Sequence, residues 1–70
     1  MELTTIQKDL LNGLQSLKLN TETIVLVMTA CQEEKQTQEM ITWLIGQIDR
    51  KIIPTEERIL NKIVEMNQEN

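Results

Sequence analysis

The sequence predicts an all-α fold, a compact bundle of four short helices at about 4–18, 21–31, 33–50 and 56–67. Three observations carry that prediction. In three stretches apolar residues recur at steps of three and four, the period of one helix face. Helix-start signals precede the helices, with Glu22, Glu33, Glu34, Glu56 and Glu57 placed where carboxylates complement the helix dipole. The remaining stretch, Thr23 to Cys31, is apolar almost all round its axis when wound at about 100° per residue. A helix of that kind has to be surrounded, so the second helix is expected at the centre, fully sequestered.

The first helix carries Leu3, Ile6, Leu10, Leu14 and Leu17 as its stripe, with Leu11 at the margin and Thr4 or Thr5 as its cap. Gly13, after Asn12, costs a helix interior up to ~1 kcal/mol and marks either close packing or an early end. Asn20 reads as the cap of the second helix, with Leu19 and Ile24 placed as a hydrophobic staple. Its β-branched residues also allow a competing strand over Thr21 to Thr29, which would have to pair with another copy.

In the third helix Met40, Ile41, Leu44, Ile45 and Ile48 fill an arc of about 140°, a wide core face. Trp43 falls about 60° beyond the Met40 edge, on a polar flank next to Gly46. Pro54 ends this helix by excluding Ile53 from the α region. Thr55 caps the fourth helix, whose stripe is Ile59, Leu60, Ile63, Val64 and Met66; the tail from Asn67 to Asn70 is expected to fray. Short connections favour antiparallel neighbours.

Composition excludes more than it assigns. Seventy residues make one domain near the lower size limit for a self-sufficient core, so a second copy or a partner is a natural supplement. The net charge of −4 disfavours nucleic acid and anionic lipid. A single cysteine and a start without a basic leader point to the cytoplasm, and the longest apolar run, Ile24 to Met28, is too short for a membrane span.

With no histidine and no tyrosine, the commonest acid–base groups are missing, and an enzyme is not expected. Cys31 reads as a core thiol whose apolar setting leaves it unreactive. No metal and no cofactor is expected: four Cys or His ligands cannot be gathered, the paired glutamates diverge on a helix, and no phosphate-binding glycine loop is present.

What survives is protein binding, with Trp43 as an aromatic anchor and Leu26, Ile52 and Ile53 as apolar residues left over by the fold. The alternative is a dimeric DNA-binding regulator, ribbon-helix-helix-like or helix-turn-helix-like, using Arg50, Lys51, Arg58 and Lys62. Against it, the strand would offer Thr and Glu to the bases, and Lys62 with Glu65 makes an ordinary surface pair.

Two stretches, Gln38-Glu39-Met40-Ile41-Thr42-Trp43-Leu44 and Pro54-Thr55-Glu56-Glu57-Arg58-Ile59-Leu60, resemble segments of small acidic all-helical proteins of phages and mobile elements of Gram-positive bacteria. The resemblance implies a protein that inhibits or regulates a host factor by binding it, and carries no residue roles with it.

Overall fold

The computed structural model describes residues 2–68, and among them the chain forms four helices and no strand. They are α1 (Thr5–Ser16), α2 (Thr21–Ala30), α3 (Glu34–Asp49) and α4 (Glu56–Gln68), each within two residues of the sequence expectation. α4 continues through Asn67 to Gln68, and the rest of the expected frayed tail, Glu69 and Asn70, lies outside the described residues. Thr21 to Ala30 is helical, so the ribbon of the ribbon-helix-helix alternative is overturned.

Polar caps fix where the helices begin. At α1 the backbone N–H of Gln7 donates to Thr4 Oγ1 (3.2 Å) and that of Thr4 donates to Gln7 Oε1 (3.0 Å), a reciprocal box that satisfies two orphan donors. The Gln7 amide then reaches across the fold, donating to the carbonyls of Cys31 (3.4 Å) and Gln32 (3.2 Å) just past the end of α2. Thr55 caps α4 as expected, accepting from the Arg58 N–H at 3.3 Å. Asn20 occupies the cap position of α2, but its side chain makes no cap bond within its own helix.

The group that serves α2 comes from α4. The Glu56 carboxylate accepts from the Asn20 N–H (2.9 Å), the Asn20 side-chain amide (3.2 Å) and the Thr23 hydroxyl (2.8 Å). One anion therefore sits at the start of two helices, where both dipoles favour it.

These ties set the topology. α2 and α4 start together at the Glu56 end, while α1 and α3 start together at the other, where Thr4, Thr5 and Ile6 border the same depression as Gln32 and Glu34. The helices thus run up, down, up and down. Among the described residues α1 packs on α2 and α3, and α2 packs on α4, while the consecutive helices α2 and α3 make at most slight contact along their lengths. Side chains close the ring between α3 and α4, through Arg58 Nη2 donating to Gln47 Oε1 (2.9 Å) and a Lys62–Glu39 ion pair (3.3 Å).

Leu10 and Leu14 of α1, Val27 and Cys31 of α2, Met40 and Leu44 of α3 and Ile59 of α4 form the buried core. Leu19 and Ile24 pack partly buried against it, where the staple places them. Two expectations fail. α2 is not sequestered: Thr23, Val27 and Cys31 face inward, while Val25 and Leu26 are more than half exposed. Packed mainly on α1 and α4, a ten-residue helix keeps an outer face whatever its composition.

The core face of α3 is also turned. Thr37, Met40, Leu44 and Gln47 are buried, whereas Ile45 and Ile48 are each 54% exposed. Thr37 and Gln47 can be inside because each is satisfied there, Thr37 Oγ1 against the Cys31 carbonyl (2.8 Å) and Gln47 against Arg58.

α3 ends in a Schellman pattern, the Lys51 N–H bonding the Ile48 carbonyl (2.9 Å) and the Ile52 N–H the Gln47 carbonyl (2.9 Å). Lys51 takes the left-handed conformation this requires, at φ 60°, where a Cβ is strained. Lys51→Gly is expected to raise stability by about 1 kcal/mol in urea unfolding.

Hydrogen bonds, that of the Thr23 hydroxyl first and then the Asn20 backbone N–H, hold the Glu56 carboxyl below its ordinary 4.5, with partial burial opposing them. The folded state therefore binds this proton less readily than the unfolded chain. The stabilisation is full above the unfolded value and is lost as pH falls through the folded one. Thermal melts of Glu56→Gln should show a lower Tm at neutral pH and a shallower decline than the parent below pH 4.5. Parallel declines would remove this role.

Candidate protein-binding groove

Of the exposed large apolar side chains, Ile45 and Ile48 border a groove between α1 and α3, while Val25, Leu26, Ile53 and Val64 lie elsewhere. α1 presents Leu10, Gly13 and Leu17 along one edge with Asp9 beside them, the i, i+3, i+4 spacing that keeps side chains on one helix face. α3 presents Ile41, Leu44, Ile45 and Ile48 at the same spacing. Because the two helices start at the same end, the stripes run in the same direction along the groove.

Between them lies an open groove of about 200 Å³. Leu10 and Leu44 are buried and form its floor, and the half-exposed Ile45 and Ile48 form one wall. Gly13 keeps the other wall low. A Cβ built there would meet nothing within 4 Å, so the expected close packing inside the fold is absent and α1 continues through to Ser16. The same is true of Gly46, and neither glycine takes a positive φ. The fold itself requires glycine at neither position.

Of the residues singled out in the sequence, Trp43 is half-buried and packs against the core, beside Arg58, Asn61, Lys62 and Glu65 of α4 in a cleft of about 250 Å³. Leu26 is 54% exposed on α2, Ile53 is 77% exposed in the α3–α4 loop and Ile52 is half-buried. None of these three borders the Trp43 cleft, so the structure does not gather the four into one surface.

Arg50 and Lys51 are exposed. Arg58 is engaged with Gln47, and the Lys62 ammonium is paired with Glu39 (3.3 Å) and Glu65 (3.5 Å). The four cations therefore do not stand as a free row.

Sequence reasoning missed Ile45 and Ile48 as surface residues and assigned them to the core. The signal was present in the width of the α3 stripe, since an arc of about 140° exceeds what one neighbouring helix covers.

The thiol of Cys31 is buried at the end of α2. Burial pushes it up to about 11, and the nearby Glu39 charge adds to the rise. Among the described residues no group of three or more His, Cys, Asp or Glu side chains is gathered as a metal site, and no helix is long and apolar enough to cross a membrane. A hollow of about 730 Å³ is an open depression along the acidic first turns of α3.

No protein family, curated protein or solved structure matches the chain.

A thiol so held should react with iodoacetamide at pH 8 only through opening of the fold, and its labelling rate should follow global stability when urea is added. Labelling as fast as in the unfolded chain would contradict the packing of α2 described here. As the unfolded thiol ionises before the folded one, stability should also fall as pH rises above 9.0.

Proposed function

We propose that this chain acts by contact alone, as a non-enzymatic protein-interaction module whose α1/α3 groove receives the apolar face of a helix from another chain. The observation that carries the reading is the pair Ile45 and Ile48, each 54% exposed beside a groove floored by Leu10 and Leu44. Groove recognition of an amphipathic helix uses side chains at this spacing. The open side of Gly13 gives a visiting backbone room to approach. The resemblance of Gln38 to Leu44 and Pro54 to Leu60 to small acidic phage and mobile-element proteins supports a role in occupying another protein's surface.

The anchor thereby moves from Trp43, whose ring packs partly on its own core, to the isoleucine pair. Leu26 with Val25 on α2, and Ile53 in the loop, form separate exposed apolar spots outside the groove.

A photo-crosslinking side chain placed in vivo at Ile45 or Ile48 is expected to give discrete protein adducts, and the same probe at the exposed Thr29 of α2 is expected to give none. Equal patterns at all three positions would reject the groove. Ile45→Glu with Ile48→Glu should abolish the adducts of a probe at Gly13. Each substitution should cost the fold about 1 kcal/mol or less, because half of each side chain is already in water.

A further inference from the structure

We infer that the helix received by the α1/α3 groove is a basic one: an amphipathic helix of another protein that carries lysine or arginine beside its apolar stripe. The inference rests on the groove reading above and gives its occupant a chemistry. It comes from the charges that lie on the groove itself.

Asp9 is the one charged side chain that lines the groove. On α3 the stripe of Ile48, Ile45 and Ile41 continues toward the helix start, at the same steps of three and four, through Gln38 to Glu34. Glu34 is placed on the α1 side of its helix by the depression it shares with Thr4, Thr5 and Ile6, and Asp9 stands one turn along α1 from Thr5. At the end where α1 and α3 start, the groove therefore opens between two carboxylates, one from each helix. Both are exposed, and no ion pair among the described residues involves either.

The nearby cations do not offset them in the groove. Lys8 and Lys35 are the sequence neighbours of Asp9 and Glu34, and successive residues on a helix diverge by about 100°. Neither borders the groove or the depression that Glu34 shares with Thr5. At the far end Lys18, Asp49, Arg50 and Lys51 are exposed where α1 and α3 finish, and none of them lines the groove. Glu22, Glu56 and Glu57, at that same end, belong to α2 and α4 and lie off this face.

Closing the groove gives these carboxylates their consequence. A helix seated on Ile45 and Ile48 also covers Asp9, and apolar cover would strip water from a lone anion and return nothing. A lysine or arginine beside the partner's stripe returns a charge-assisted hydrogen bond, and Glu34 extends the same attraction toward the helix start. The net charge of −4 acts in the same sense at longer range. Nucleic acid and anionic lipid bring the opposite charge to this rim and are repelled by it.

The test uses two synthetic amphipathic peptides with the same leucine stripe, one flanked by lysine and the other by glutamate, titrated into the full chain and read from its backbone amide NMR signals. The lysine peptide is expected to shift the signals of Gly13, Ile45 and Ile48 and to bind at least about tenfold more tightly than the glutamate peptide. Asp9→Lys should remove that preference and Asp9→Asn should reduce it, with circular dichroism confirming that each variant is folded. Glu22→Lys makes the same change in net charge as Asp9→Lys on α2, outside the groove, and should leave the preference in place. In vivo, the adducts of a probe at Ile45 should contain another protein and be lost in Asp9→Lys.

Equal binding of the two peptides at the groove signals, or adducts that persist in Asp9→Lys, overturns the basic partner and leaves the groove reading standing. Adducts made of two copies of this chain overturn it in the same way. A preference lost equally in Glu22→Lys would come from net charge alone and would remove Asp9 from the recognition. If neither peptide shifts the groove signals and the probes at Ile45 and Ile48 give no adducts, the groove reading itself falls.

Discussion

The carbonyl of Cys31 is the joint on which the bundle depends. It lies where α2 has ended and α3 has not begun, and it accepts from the Thr37 hydroxyl at 2.8 Å and the Gln7 amide at 3.4 Å. The Cys31 N–H still bonds the Val27 carbonyl at 2.9 Å, as the last turn of α2. Three helices are thus registered on one residue, whose side chain is also buried. The Thr37 hydroxyl has one proton for two carbonyls, those of Cys31 and Glu33, and so also closes the first turn of its own helix.

At the opposite end of α2 the Glu56 carboxylate plays the corresponding part, drawing the starts of α2 and α4 together. Between these two polar ties the fully buried apolar core is, among the described residues, seven side chains, one or two from each helix. A core of that size does not by itself select one rotation for each helix, because several faces of α2 and α3 are comparably apolar. The directional bonds of Gln7, Thr37, Gln47 and Glu56 make the selection, since each is satisfied only at one register. The consequence is visible in α3, where Thr37 and Gln47 take inward positions and Ile45 and Ile48 are turned out.

The four helices and their ends were legible in the sequence because local rules govern them. Thr4, Asn20 and Thr55 occupy cap positions and the first-turn glutamates lie where the dipole favours them, whereas α3 ends at Asp49 in the Lys51 turn, ahead of the stop that Pro54 was expected to impose. Helix rotation was not legible, because it follows from partners far apart in the chain. Gln7 reads as a surface residue until the Cys31 and Gln32 carbonyls are brought to it, and Glu56 reads as a dipole charge until Asn20 and Thr23 arrive. The groove was hidden for the same reason: counting Ile45 and Ile48 as core followed from the stripe alone, and only the satisfied Thr37 and Gln47 show that the stripe is not centred on the core. Trp43 and Leu26 were grouped into one surface as apolar residues left over on two separate helices, and the sequence does not say which neighbour each helix has.

The outward apolar face bears on function through what the fold does not ask for. A buried Leu10 or Leu44 is held in place by the core, and any polar substitute there would carry the cost of an unpaired group. Ile45, Ile48 and Gly13 are under no such constraint: polar side chains at the first two would be wetted, and a methyl at the third would meet nothing and favour the helix. A monomer working in isolation would be as stable and more soluble without all three. Their placement along one groove between two helices that start at the same end is what the proposed contact with another chain uses.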